Sequence, residues 1–310
     1  MSLLSVVIPS FNEEANIANT TKTISEILTA NKIDYELIFV DDGSKDRTFE
    51  CILEESKQDR RVVGVRFSRN FGKEACIFAG LEKASGDCCA VMDCDLQHPP
   101  KTLVEMYRLW EDGYQIIEGV KKSRGKESIF YKLSAKLFYK MISKVTKFDM
   151  EKASDFKLLD RQVVDALLSV QEKKTFFRAL SYWVGFKNIS IEYEVEKRRF
   201  GESKWSLGGL IHYAFDNVSS FTAAPLNIIT VLGVILLLIS FVLMIYTLVQ
   251  YIIGNTVAGL TTIILLLLII GSAVMISLGI IGFYLGKVYD EVKSRPRFVI
   301  SQETDDMINK

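Results

Sequence analysis

Residues 90–100 read AVMDCDLQHPP: an apolar run gives out into two carboxylates one residue apart, Asp93 and Asp95, followed by an amide, Gln97, and a Pro-Pro stop. The run that feeds it, CCAVM (88–92), has the length and composition of a buried strand. Close carboxylates repel unless a cation or a proton lies between them, so the pair points to a bound metal; the competing reading is a solvated turn. The same figure occurs twice upstream. LLSVVIP (3–9) runs into Pro9, Ser10, Asn12 and Glu13, and YELIFV (35–40) runs into Asp41, Asp42, Gly43 and Ser44. With RVVGVRF (61–67) as a further strand, helical patterns fall between the strands at 14–29, 46–58, 73–84 and 99–111. Such βαβα order predicts a mostly parallel sheet covered on both faces, with ligands at the carboxyl ends of the strands. All three polar clusters sit at those ends. No G-x-G-x-x-G follows the first strand and no G-x-x-x-x-G-K-[ST] occurs, which removes the main support for a dinucleotide fold or a P-loop.

Beyond this unit the composition changes. The 310-residue chain is 49% hydrophobic and 25% charged, enough for a full core and a second unit, and its net charge of zero lends no support to nucleic-acid binding. Its five cysteines are odd in number and lack C-x-x-C spacing, which predicts reduced core thiols. The opening MSLLSVVIPSFNEE has no basic region and too short an apolar run for a signal peptide. From Asn217 to Gly286 there is no Asp, Glu, Lys or Arg. A spanning helix needs about 20 apolar residues, so two spans are expected, roughly Leu226–Ile253 and Leu260–Leu285, joined by GNTVAG. Lys287, Lys293, Arg295 and Arg297 follow the second span, Arg199 and Lys204 precede the first, and the connecting loop has no Lys or Arg; both termini are therefore expected on the cytoplasmic side. The expected organisation is a cytoplasmic domain over 1–220, a two-helix membrane unit over 221–290 and a cytoplasmic tail over 291–310. The stretch 128–148 carries Lys132, Lys136, Lys140 and Lys144 beside an apolar set, which fits either a basic amphipathic helix lying on anionic lipid or an ordinary surface helix.

VVIPSFNEEANI, IFVDDGSKDRT, NFGKEACIFAGLEKASGD, VMDCDLQHPP, DFKLLDR and RRFGESKWS, in this order and ahead of two spans, resemble a family 2 glycosyltransferase of the polyprenyl-phosphate type. The resemblance covers about residues 3–290. It implies a GT-A-type, Rossmann-like, mostly parallel sheet domain followed by two transmembrane helices. The implied reaction is inverting transfer of one sugar from a nucleotide sugar to undecaprenyl phosphate at the cytoplasmic membrane face. UDP-glucose and UDP-N-acetylglucosamine are the expected donors, with bacterial cell-envelope glycan the destination.

Residue by residue, the resemblance puts Mg²⁺ or Mn²⁺ on Asp93, Asp95 and Gln97, where it neutralises the leaving diphosphate. Hard oxygen ligands suit such a cation. It puts Pro9, Asn12, Glu13 and Asp42 toward the nucleotide, although Asp42-Gly43-Ser44 also reads as a plain turn, and Lys73 toward the donor. Arg198 (with the adjacent Arg199 as a rival) and Lys204 match a loop facing the lipid phosphate, and Arg124 lies where relatives carry basic residues for the same group. Asp155 matches an aspartate sometimes treated as a base. A lipid phosphate monoester is already anionic near neutral pH, so Asp155 is expected to orient substrate instead. Membrane lipid and a second copy of the chain, through the membrane helices, are the expected partners. Two other classes share parts of this pattern: a processive polysaccharide synthase, which needs more spans, and a non-catalytic nucleotide-sugar-binding anchor serving a flippase, which could lose the metal carboxylates.

Overall fold

The computed structural model describes residues 2–122, 154–170, 172, 176–194, 224–254 and 259–308. Arg124, the basic stretch at 128–148, Arg198, Arg199 and Lys204 lie outside the described residues.

Four βα units open the chain: β1 (Leu3–Ser10), α1 (Ile17–Ala30), β2 (Asp34–Asp41), α2 (Thr48–Gln58), β3 (Val62–Phe67), α3 (Lys73–Lys83), β4 (Cys88–Val91) and α4 (Pro100–Glu111). β1 pairs in parallel with β2 and β4, and β2 with β3. β1 and β4 are largely apolar and buried almost throughout, and β2 is apolar and buried over Leu37–Val40, as strands covered on both faces must be. α4 opens with Pro100, whose fixed φ suits a first helical turn. Four further strands were not anticipated as elements. β5 (Ile116–Lys121), β6 (Lys157–Asp160) and β7 (Asn188–Tyr193) extend the sheet on one side, β6 running antiparallel to both β4 and β5. α5 (Arg161–Ser169) and α6 (Phe177–Trp183) lie between β6 and β7 in sequence. The complete order is β7-β5-β6-β4-β1-β2-β3-β8.

The last strand lies in the stretch expected as a cytoplasmic tail. Residues 296–310 belong to the same compact unit as the N-terminal 211 residues. β8 (Ile300–Glu303) pairs antiparallel with the outer edge of β3, and a short helix, α9 (Thr304–Ile308), follows. Within the stretch expected as the tail, 291–310, the structure has a closing edge strand.

The second compact unit holds α7 (Ala224–Ile252) and α8 (Leu260–Val292). Windows of 20 and 24 residues in them, Val231–Gln250 and Ile269–Val292, are apolar and long enough to cross a membrane. Leu237, Val242, Met275 and Leu285 are each more than 60% exposed. Apolar side chains turned outward along such lengths belong in lipid, so the chain is membrane-associated.

Candidate active site

The rim at the carboxyl ends of β1, β2 and β4 is held together by side chain to backbone bonds. After β1, Asn12 takes a left-handed conformation (φ 55°) and donates its N–H to Ser44 Oγ (2.9 Å), while its Oδ1 accepts from Lys45 N (3.0 Å). Glu13 N donates to Thr48 Oγ1 (2.9 Å), and Glu13 Oε2 accepts from Asn16 Nδ2 (2.5 Å). Asp42, 4% exposed, accepts from Phe71 N (2.6 Å) and Gly72 N (2.9 Å), which straps the β2–α2 turn to the β3–α3 loop. Gly43 is required between them: its φ is +66°, and a Cβ there would lie 2.6 Å from the Arg69 carbonyl carbon. Burial pushes the Asp42 pKa up, against the pull of the two amides.

After β4 the chain alternates. Asp93, Asp95 and Gln97 are half-buried, whereas Cys94, Leu96 and His98 between them are buried. Thr20 Oγ1 donates to Cys94 O (2.6 Å), Gln97 N donates to Asp95 Oδ1 (3.1 Å), and Leu96 sits at φ 56°. His98 stacks flat on Phe156 (4.6 Å between centroids) and accepts the Asp93 N–H through Nδ1 (3.3 Å).

Four charges meet beside this loop. Lys73 Nζ, at the first position of α3, lies 2.6 Å from Asp93 Oδ1 and 3.0 Å from Asp155 Oδ2. Arg178, near the start of α6, grips Asp155 with two donors, Nε to Oδ1 at 2.6 Å and Nη2 to Oδ2 at 2.8 Å. Burial disfavours the Asp155 charge, but Lys73 and Arg178 outweigh it and hold the carboxyl far below the carboxylate range. Asp93 is likewise lowered, burial opposing and Lys73 prevailing, and Lys73 is raised above an ordinary lysine by the two carboxylates despite burial. The Lys73 and Asp93 side chains keep 42% and 36% of their exposure, so water screens their contact; Asp155 keeps 10%.

Sequence reading brought Asp93, Asp95, Gln97, Lys73 and Asp155 to this region, and the structure places all five there. It missed Arg178 and Glu74. Glu74 accepts from Phe177 N (2.8 Å), and burial pushes its pKa up to about 7, with Asp155 adding to the rise. The available signal was a cation set in the apolar run TFFRAL. Below Asp155, Lys157 and Glu118 face each other across the β5–β6 register at 2.8 Å, both almost wholly buried, and Ser154 N donates to Glu118 Oε1 (2.8 Å).

Among the described residues no three His, Cys, Asp or Glu side chains group as an all-protein metal site. Asp93, already compensated by Lys73, Asp95 and the Gln97 amide are hard oxygen donors open to solvent at alternate positions, a set that fits a cation shared with phosphate oxygens.

The family model described as glycosyl transferase family 2 matches residues 5–168, which contain this rim. The chain belongs to glycosyl transferase family 2. It is therefore a glycosyltransferase. A glycosyltransferase of Bacillus subtilis (strain 168), YkcC, is 37% identical over 96% of this chain and 93% of its own. The bactoprenol glucosyl transferase of Shigella phage SfII is 33% identical over 96% of this chain and 97% of its own. Among solved structures, glucosyl-3-phosphoglycerate synthase from Mycobacterium tuberculosis in complex with Mn²⁺ and UDP-glucose aligns with a TM-score of 0.47 at 20% identity, over 69% of this chain and 75% of that one. As a family 2 enzyme the chain carries its charged cluster on the strand ends where its sheet class binds ligands.

Proposed function

We propose that this glycosyltransferase moves one sugar from a nucleotide sugar, UDP-glucose or UDP-N-acetylglucosamine, to undecaprenyl phosphate at the cytoplasmic face of the membrane. One observation carries the reading: a single chain joins the Lys73–Asp93–Asp155–Arg178 cluster to two helices clothed in exposed apolar side chains. The full-length relative named for bactoprenol supports the same acceptor.

In this reading the donor lies on the rim formed by Pro9, Asn12, Glu13 and the Asp42 turn. Asp42 has its carboxylate engaged by two amides, so it shapes the turn rather than reaching for the base. Asp93, Asp95 and Gln97 would hold a divalent cation beside the diphosphate. When bound, Mg²⁺ or Mn²⁺ supplies charge compensation for the departing nucleoside diphosphate. An acceptor phosphate oxygen attacks the anomeric carbon, the bond from that carbon to the diphosphate breaks, and configuration inverts. The acceptor oxygen is already anionic, so no strong base is needed. A carboxyl held as low as Asp155 is a poor base; it keeps Lys73 and Arg178 in place as cations turned toward developing phosphate charge. Arg124, Arg198 or Arg199, and Lys204 are the proposed grip on the acceptor phosphate.

The test is a panel of radiolabelled UDP- and GDP-sugars with short-chain prenyl phosphate, the lipid product separated by thin-layer chromatography. A single lipid-linked sugar is expected. Polymer would make the chain a synthase, and no product with retained nucleotide binding would make it an anchor. Arg198→Ala and Lys204→Ala should raise the acceptor KM about 10-fold or more, the scale of a charge-assisted contact, with nucleoside diphosphate affinity by calorimetry unchanged.

A further inference from the structure

The segment Phe298–Gln302, which includes the start of β8, reaches the donor rim by two chains of contacts. The first runs through Arg66. Ser301 Oγ donates to Arg66 O (3.1 Å), and Gln302 Oε1 faces Arg66 Nη1 at 3.5 Å in the paired register. Arg66 Nη2 donates to Ser44 O (3.1 Å), and its Nε lies 3.3 Å from Asp41 Oδ2 as a charge contact without hydrogen-bond geometry. Asp41, fully buried, accepts from Ser44 N (2.9 Å), and Ser44 Oγ in turn takes the Asn12 N–H. The second runs through rings. Phe298 stacks on Phe67 (5.0 Å), Phe67 meets Phe71 edge-on (5.6 Å), and Phe71 N is one of the two amides held by Asp42.

The seat for this segment is built into the sheet. Thr304 is fully buried and accepts from Gly64 N (2.9 Å). A Cβ on Gly64 would come within 2.8 Å of Thr304 Cγ2 and 2.5 Å of Ile52 Cγ2. Lys83 closes the far side with Glu303 (2.6 Å) and Asp305 (3.5 Å). An open cleft of about 460 Å³ lies between turn and strand, lined by Gly43, Ser44, Arg66, Ser68, Ser301 and Gln302.

We propose that the segment Phe298–Thr304 is a positioning element of the donor site, holding the Asp41–Ser44 turn in its nucleotide-receiving form through Arg66 and Phe71. An edge strand that served only to cap the sheet would need pairing with β3 alone. Here both chains of contact end on Asp41, Asp42 and Ser44, the residues that fix the rim. The inference rests on the reading of that rim as the donor site.

The test uses the full chain in detergent or nanodisc. Thr304→Val keeps the shape and removes the acceptor for Gly64 N; Thr304→Ser keeps the acceptor. Thr304→Val should weaken nucleoside diphosphate binding about threefold to tenfold, the scale of one hydrogen bond. It should raise the donor KM alike and leave the acceptor KM unchanged, with faster amide exchange at residues 41–44. Thr304→Ser should restore all three. If Thr304→Val melts earlier but binds nucleotide and exchanges at 41–44 as the parent does, the segment is a cap and the proposal fails. If the parent binds no nucleoside diphosphate, the donor-site reading falls and takes this inference with it.

Discussion

Asp155 is surrounded by a lysine and an arginine, which makes its charge cheap to keep and its proton hard to restore. Asp155→Asn should therefore lower kcat about 100-fold by releasing both cations while leaving nucleotide affinity near the parent value, measured by steady-state kinetics and calorimetry. A loss confined to nucleotide affinity would move Asp155 to the donor side. Arg178→Met removes two charge-assisted bonds from a nearly buried carboxylate and should cost roughly 2–3 kcal/mol of stability, read as a lowered Tm. Glu74 behaves in the opposite sense. Its folded pKa is raised from 4.5 to about 7, so between those values the folded chain binds more protons than the unfolded one, and stability falls as pH rises through that window. Glu74→Gln cannot ionise. Its Tm should match the parent near pH 4 and exceed it increasingly up to about pH 7, levelling off above; parallel Tm curves would place the carboxyl in water.

At the scale of elements, the loop after β4 sets the metal prediction. Asp95 and Gln97 are offered by an alternation in which Cys94, Leu96 and His98 are pinned inward, so removing one donor should not unseat the loop. EDTA should abolish transfer, Mg²⁺ or Mn²⁺ should restore it, and Asp95→Ala should need far more metal for any rate while the chain stays folded. Full activity of Asp95→Ala would dismiss the assignment. The same loop and the four units around it were legible in the sequence because each strand is a short apolar run with a polar stop, and each helix has a 3.6-residue period. β5 and β6 escaped because Glu118 interrupts the one and Lys157 opens the other, charges that make sense only once the antiparallel register sets them face to face. β8 escaped because four residues, ISQE, after a long apolar helix carry no pattern of their own; the edge of β3 gives them a shape. Arg178 belonged to the site through tertiary contact with Asp155, 23 positions away, which spacing cannot announce.

For the whole molecule, the charge flanks and the two exposed apolar helices make topology testable. Of the five cysteines, four are buried and Cys51 is half-buried, so labelling starts from a Cys51→Ser background. A cysteine at Asn255 should react with a membrane-impermeant maleimide from outside intact cells, and one at exposed Lys57 only after lysis. The reverse pattern would separate the enzyme from cytosolic nucleotide sugars. The antiparallel partner of β3 also sets an order of manufacture. The ribosome emits residues 300–308 only after both long apolar helices have been made, so for that whole interval the outer edge of β3 is an unpaired template for other chains. Completion of the sheet thus certifies that both long apolar helices have already been synthesised. A stop codon at Pro296 should yield a product that inserts yet is cleared by cellular proteases faster than the full chain in a pulse-chase; equal lifetimes would mean the open edge is harmless. A transferase cut short at Pro296 would then be destroyed before it could act.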